Sequence, residues 1–455
     1  MPPVAQTASR GSQPRPNTRL PRKRGAPDLL AAVPFVAYAA CLAILVVVGR
    51  FAELVPGLDR LQPAKLALGL FLASALIGRK YLADSEIFKS PIARTAFWFF
   101  AIAAASGIWS IWQSNSLAFV TNGLIVIGVM FVLLFKVVRN WAVAETLIVS
   151  LCVSATLLGI AAIVNYDGAR AEASGTYDTN DLAYVLVTTF PLVLALALDG
   201  RGFRRILFAG MAAAVLVAAL ITESRGGLLG LIAGIIAVFW LRPAAVSAKT
   251  GSMGRAAQAI VWVMAAVAVA VASWPMLPAS ARERFASMLD LQSDYNMQEE
   301  SVGRTFIWRR NLTAVAKRPI GFGVGSSSAL DLQLGGRFKT AHNSVVQITT
   351  ELGVLGAILF LRLYWLAWRG LGQKIAATRK QVASLHCQVA GRAGVLLYSL
   401  RASLVASFVA GFFLSQGYSY LLYSVLGIIA AVILLDPTEK LDVESDARTR
   451  VRGYR

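Results

Sequence analysis

Twelve long apolar runs punctuate the 455 residues of the chain, near 29–49, 64–78, 92–112, 117–135, 143–164, 182–198, 205–221, 226–241, 257–274, 344–368, 395–415 and 418–435. Runs of this kind, with charge confined to the gaps between them, are the pattern of helices that sit in hydrocarbon. Several fall short of the roughly 20 residues a span needs, so their ends are soft. The pattern predicts an all-α polytopic membrane protein with about 12 transmembrane helices and one large extracytoplasmic loop containing short helices. Five segments follow: a basic arm at 1–28, transmembrane helices 1–9 at 29–274, the large loop at 275–343, helices 10–12 at 344–435, and a polar tail at 436–455. No internal repeat is visible.

Lysine and arginine fix the orientation. With the N-terminus inside and the runs alternating, 28 of the 44 fall in inside segments, nine in the loop 275–343, and only five in the short outside loops. The positive-inside rule is weak for long loops and strong for short ones, so this distribution places both termini in the cytoplasm and the long loop outside. The same rule absorbs the net charge of +20. No basic-aromatic stacking motif accompanies that charge, which argues against nucleic acid as a partner and leaves membrane lipids. Residues 1–28 carry six basic residues and six prolines and read as an arm on anionic lipid. The run after them is too long for the apolar region of a cleaved signal peptide. Cys41 and Cys152 lie inside apolar runs and read as small hydrophobes, while Cys387 and His386 are too few to build a structural zinc site.

The chemistry gathers where helices begin. Gly175-Thr-Tyr-Asp-Thr-Asn180-Asp-Leu-Ala183, preceded by Arg170, leads into the sixth run; Glu223-Ser-Arg225-Gly-Gly227 opens the eighth; His342-Asn343-Ser344 opens the tenth. Even-numbered helices run inward, so all three motifs lie at helix N-termini on the outer face, where free N–H groups and the dipole favour an anion. Gly226 and Gly227 permit close backbone approach. Taken singly, Arg225 also reads as a snorkelling interfacial cation, His342 as a satisfied interfacial histidine, and the Asn180 segment as a helix cap. Within the long loop, 301–318 reads as a helix capped by Ser301 and stopped by Pro319. Its periodicity puts Arg304, Trp308, Leu312 and Val315 on one stripe and turns Arg309, Arg310 and Lys317 away. Gly321-Phe-Gly-Val-Gly325 lacks a preceding strand and reads as a glycine turn, not a dinucleotide site. The sequon at Asn311-Leu-Thr313 falls inside the helix and carries no meaning there.

In order and spacing, the Thr179-Asn180-Asp-Leu-Ala183 segment, Ser224-Arg225-Gly226, Gly303-Arg304, Ile307-Trp308, Pro319-Ile-Gly-Phe-Gly-Val-Gly325, His342-Asn343 and Glu351-Leu-Gly353-Val-Leu-Gly356 resemble the O-antigen ligase and O-antigen polymerase superfamily. Thr179 stands where that family usually has proline. The resemblance implies a lipid-linked glycan transferase of the bacterial inner membrane with its active site on the periplasmic face. It implies transfer from undecaprenyl diphosphate to a hydroxyl acceptor: lipid A–core in a ligase, another lipid-linked repeat unit in an O-antigen or exopolysaccharide polymerase. It also implies inverting transfer without metal or cofactor. On that reading His342, Arg225 and Arg304 are catalytic, and Arg170, Asn180 and Asn343 bind substrate. The physics agrees. A lipid diphosphate leaving group needs cations, and a neutral imidazole can take a proton from the attacking hydroxyl. A transporter or flippase of lipid-linked glycan is the reading from another class; it calls for paired repeats and polar residues at the bilayer midplane, not at one rim.

Overall fold

The computed structural model describes residues 34–53, 57–78, 85–168, 170–173, 177–242, 282, 303–385 and 388–436. Every principal element is a helix, as the runs predict: α1 Phe35–Val47, α2 Pro63–Ile77, α3 Pro91–Ser106, α4 Gln113–Val137, α5 Trp141–Val164, α6 Thr179–Asp199, α7 Phe203–Ile221, α8 Arg225–Leu241, α9 Arg304–Lys317, α10 Ser327–Gln333, α11 Ser344–Leu385, α12 Gln388–Phe413 and α13 Tyr420–Val432. Seven helices among the described residues are long and apolar enough to cross a membrane, and α1, α2, α8 and α13 are shorter apolar helices. The ninth run, 257–274, lies outside the described residues, as do the basic arm and Ser301.

The centre of the bundle is α6, whose span is 83% buried inside the protein. It packs against α7, α8 and α12, while α3, α4, α11 and α13 gather on the other side of α12. Burial this complete demands small residues where backbones cross. Helix α8 supplies them at every fourth position. A Cβ on Gly226 would stand 2.6 Å from Phe413 Cβ, one on Gly230 would stand 2.7 Å from Ala410 Cβ, and one on Gly234 would stand 2.9 Å from Pro191 Cγ. Gly227 meets Ala183 in the same way, at 2.8 Å. The close approach that Gly226 and Gly227 permit is therefore between helices.

Helix α11 is not one rod. Gly353 takes φ 70° and ψ −166°, so residues 344–352 and 354–385 are two helices joined at a break. Three of the backbone groups freed there are met by the turn after α9. Phe322 N donates to Thr350 O at 3.0 Å, Gly323 N to Glu351 O at 2.8 Å, and Val354 N to Pro319 O at 3.0 Å. Irregular backbone in a membrane protein is tolerated where protein buries it in this way. The turn is pinned on its other side by α3 and α4: Val324 N donates to Ser106 Oγ (2.9 Å), Asn115 Nδ2 to Gly325 O (2.8 Å) and Ser116 Oγ to Val324 O (2.6 Å). Glu351, buried, accepts from Gly325 N at 2.9 Å. The glycine turn and the Glu351-Leu-Gly353 segment are thus two halves of one lock.

The short piece 344–352 has both ends at the same end of the bundle. Ser344 Oγ donates to Leu414 O at 2.8 Å, just past α12, and the break at Gly353 sits on the turn held by Ser106 and Asn115. It lies across that end, and the descent begins after Gly353. A Cβ at Gly353 would stand 2.0 Å from Pro319 O, in a backbone conformation that disfavours side chains. Gly353→Ala should therefore cost at least about 1–3 kcal/mol of stability. It should also open residues 318–325 to proteolysis, and thermal unfolding and limited digestion of the purified protein check both effects.

Candidate functional site

At this end of the bundle the three motifs meet. Asp178 caps α6, its Oδ1 accepting from Asn180 N (2.8 Å) and Asp181 N (2.7 Å). Ser224 caps α8 by accepting from Gly227 N at 3.3 Å. Asn343, buried, caps the first piece of α11 by accepting from Val346 N at 3.0 Å. Each cap satisfies an N–H that would otherwise be orphaned at a helix start. The caps leave Asn180, Arg225 and His342 beside them with side chains directed to other work.

Asn180 ties two motifs together. Its Oδ1 accepts from Arg170 NH2 at 3.3 Å and from Ser224 Oγ at 3.0 Å, while Arg170 Nε donates to Thr222 O at 3.2 Å. The side-chain oxygen of Asn180, a residue expected to bind substrate, is thus engaged in holding Arg170 against the start of α8. Arg225 is the first residue of α8 and is half-buried.

Arg304 is the first residue of α9, and Gly303 occupies the cap position without a side-chain bond, where Ser301 was expected. The buried face of α9 is Ile307, Asn311 and Val315, with Arg304 and Trp308 half-buried beside it. Leu312, expected on this stripe, is exposed. The stripe is centred on Asn311, a residue hydropathy does not nominate, which rotates it by about 60° from the predicted line at 100° per residue. That rotation corrects a second expectation. Arg309 and Lys317 face outward, but Arg310 does not: its Nε donates to Asp331 Oδ1 at 2.9 Å, on a carboxylate that is fully buried. Asn311 is also fully buried, so its sequon is inaccessible.

His342 sits where α9 docks on α11. Trp308 Nε1 donates to Ala341 O at 2.6 Å, and Ile307, Ala341 and Val346 form a small apolar cluster under it. The histidine backbone is left-handed, with φ 46°, and Nε2 lies 3.5 Å from Thr340 Oγ1. Burial pushes its pKa down to about 4, and the charges of Arg304, Lys339 and Arg170 push the same way against the opposing pull of Asp178. Those influences place Arg170, Asp178 and Arg304 within electrostatic reach of the imidazole. The histidine is therefore neutral near pH 7, with a lone pair to accept a proton.

Sequence reasoning missed Arg50. It follows α1 in a left-handed conformation, φ 45°, with its guanidinium 4.4 Å over the Tyr177 ring and an ion pair to Glu53 at 3.0 Å. Tyr177 Oη donates to Val48 O, and Gln416 Nε2 donates to Asp181 Oδ1, so this cluster adjoins the start of α6. The available signal was an arginine at the outer end of a run, in loops that hold few cations. Among the described residues, no three of His, Cys, Asp and Glu come together in a set suited to a metal ion.

No curated protein matches the chain. Residues 210–361 match the family described as O-antigen ligase, an interval that runs from within α7 through α8, α9 and the lock to Leu361, and leaves Arg170 and Asn180 upstream. That match supports the superfamily whose motifs the chain resembles: over residues 210–361 this membrane protein is similar to the O-antigen ligase family.

Proposed function

We propose that the chain transfers a glycan from undecaprenyl diphosphate to a hydroxyl acceptor on the periplasmic face of the bacterial inner membrane, as a ligase using lipid A–core. The family match implies a ligase- or polymerase-like function. The observation that carries the finer reading is the gathering of Arg170, Arg304 and the Ser224–Arg225 helix start with a neutral His342 at one end of the bundle. The distribution of arginine and lysine supports a topology with that end and segment 275–343 outside and both termini inside.

In this mechanism the imidazole of His342 takes the proton of the acceptor hydroxyl as its oxygen attacks the anomeric carbon. The bond from that carbon to the diphosphate oxygen breaks in the same displacement, with inversion. Its electron pair leaves on undecaprenyl diphosphate, where Arg225 and Arg304 stabilise the added charge. No metal is used. Arg225→Ala should weaken donor binding as well as turnover, because it removes a charge-assisted contact worth about 1.5–3 kcal/mol. Purified protein in lipid, assayed separately for donor binding and transfer, checks this, and a chelator should leave transfer intact. A deletion strain should lose glycan from lipid A–core. Shortened chains on an intact linkage would instead make the protein a polymerase.

A further inference from the structure

A groove of about 370 Å³ opens between α11 and α12, lined by apolar and aromatic side chains that include Leu361, Tyr364, Trp365, Val405 and Phe408. The Tyr364 hydroxyl accepts from buried Ser407 at 3.5 Å, so the groove presents its ring. A helix bundle in lipid exposes apolar side chains everywhere, and that alone marks nothing. What distinguishes this groove is where its upper end leads. Phe408 packs edge-on against Tyr364 at 5.1 Å. Phe412 follows one turn later on the same face of α12 and packs edge-on against Trp308 at 5.9 Å. Trp308 is one turn beyond Arg304 on α9, and its indole is bonded to Ala341 O, next to His342. Two ring contacts, set one turn apart on α12, therefore lead from the groove toward the candidate site. Leu361 and Trp365 lie eight and twelve residues below the break at Gly353, or about 12 and 18 Å at 1.5 Å per residue.

We infer that the groove between α11 and α12 seats the isoprenoid chain of the donor, with Trp308, Phe412 and Phe408 leading the chain down from the diphosphate beside Arg304. This rests on the donor class proposed above. A diphosphate held at the outer rim has one apolar substituent, and that chain must enter hydrocarbon within a few ångströms of the headgroup. These rings provide such a descent, and aromatic faces suit an unsaturated chain. The committed occupant is the donor chain rather than an acyl chain of the acceptor.

Filling the groove tests this. Leu361→Trp and Val405→Trp enter from opposite walls, so a folding defect in one does not stand for both. Undecaprenyl diphosphate and geranyl diphosphate serve as probes, bound to the full-length protein in nanodiscs; the two isoprene units of the second end above the groove. Each variant should weaken undecaprenyl diphosphate binding about tenfold or more, the burial of two or so methylenes. Geranyl diphosphate binding should stay within about twofold, which also shows that the headgroup site is folded. Equal weakening of both probes, no weakening of either, or an effect confined to the acceptor's KM would overturn the groove assignment and leave the donor class standing. A wild-type protein that binds neither probe would overturn the donor class, and the groove assignment with it.

Discussion

His342→Ala lowers transfer by about 10²–10⁴-fold, the usual contribution of a general base, while undecaprenyl diphosphate still binds. The separation follows from position and charge. The histidine is neutral and surrounded by cations, so it adds little to the attraction of an anion that Arg170, Arg304 and Lys339 already exert. Single-turnover transfer measured beside donor binding tests it. Full activity in His342→Ala would remove the imidazole from the mechanism.

The lowered pKa gives the same residue a pH signature. In the free protein, burial first and then Arg304, Lys339 and Arg170 hold the group near 4, so kcat/KM should be flat across neutral pH and fall on an acid limb near that value. A base so weak is poorly matched to neutral pH. Bound diphosphate brings negative charge among those cations and raises the pKa, so the limb in kcat should lie above the limb in kcat/KM. Stability has its own window. The unfolded chain takes up this proton near pH 6.5 and the folded one only near 4. The contribution to stability is present above 6.5, is lost as pH falls from 6.5 to about 4, and changes no further below that.

How much was legible in the sequence depends on whether partners are local. The runs within the described residues became helices because apolar periodicity and span length are properties of a contiguous segment. The caps were near at hand too, though Asp178 and not Asn180 holds the start of α6. Pairings across the chain were not legible. Nothing near Thr350 or Glu351 announces that their carbonyls are satisfied by Phe322 and Gly323, and nothing near Arg310 announces Asp331. A buried asparagine shifted the stripe of α9, because hydropathy treats Asn311 as a surface residue. The cationic site was readable as residue types at helix starts. The bond network that orders it, Arg170 and Ser224 on one oxygen of Asn180, required the fold.

Arg304→Ala should abolish transfer, and its neighbours on α9 separate charge from fold. Arg309 is exposed, so Arg309→Ala should change little. Arg310→Ala should act through stability, since it strands the fully buried carboxylate of Asp331, a change that typically costs about 3–5 kcal/mol. Thermal unfolding distinguishes the two losses: Arg304→Ala should melt near wild type and Arg310→Ala well below it. Arg304→Lys should recover only part of the activity, because an ammonium lacks the planar fork that grips two phosphate oxygens. Arg304 is also the foremost charge acting on His342, and it depresses the imidazole pKa. Removing that charge raises the pKa from about 4 toward the ordinary value near 6.5, whereas Arg304→Lys leaves most of the depression in place. The chain holds only two histidines, so a pH titration by histidine-selective NMR can follow the shift directly. An unmoved His342 titration in Arg304→Ala would mean that the two side chains do not share a site, and equal tolerance of alanine at 304 and 309 would mean that the inward face of α9 carries no chemistry.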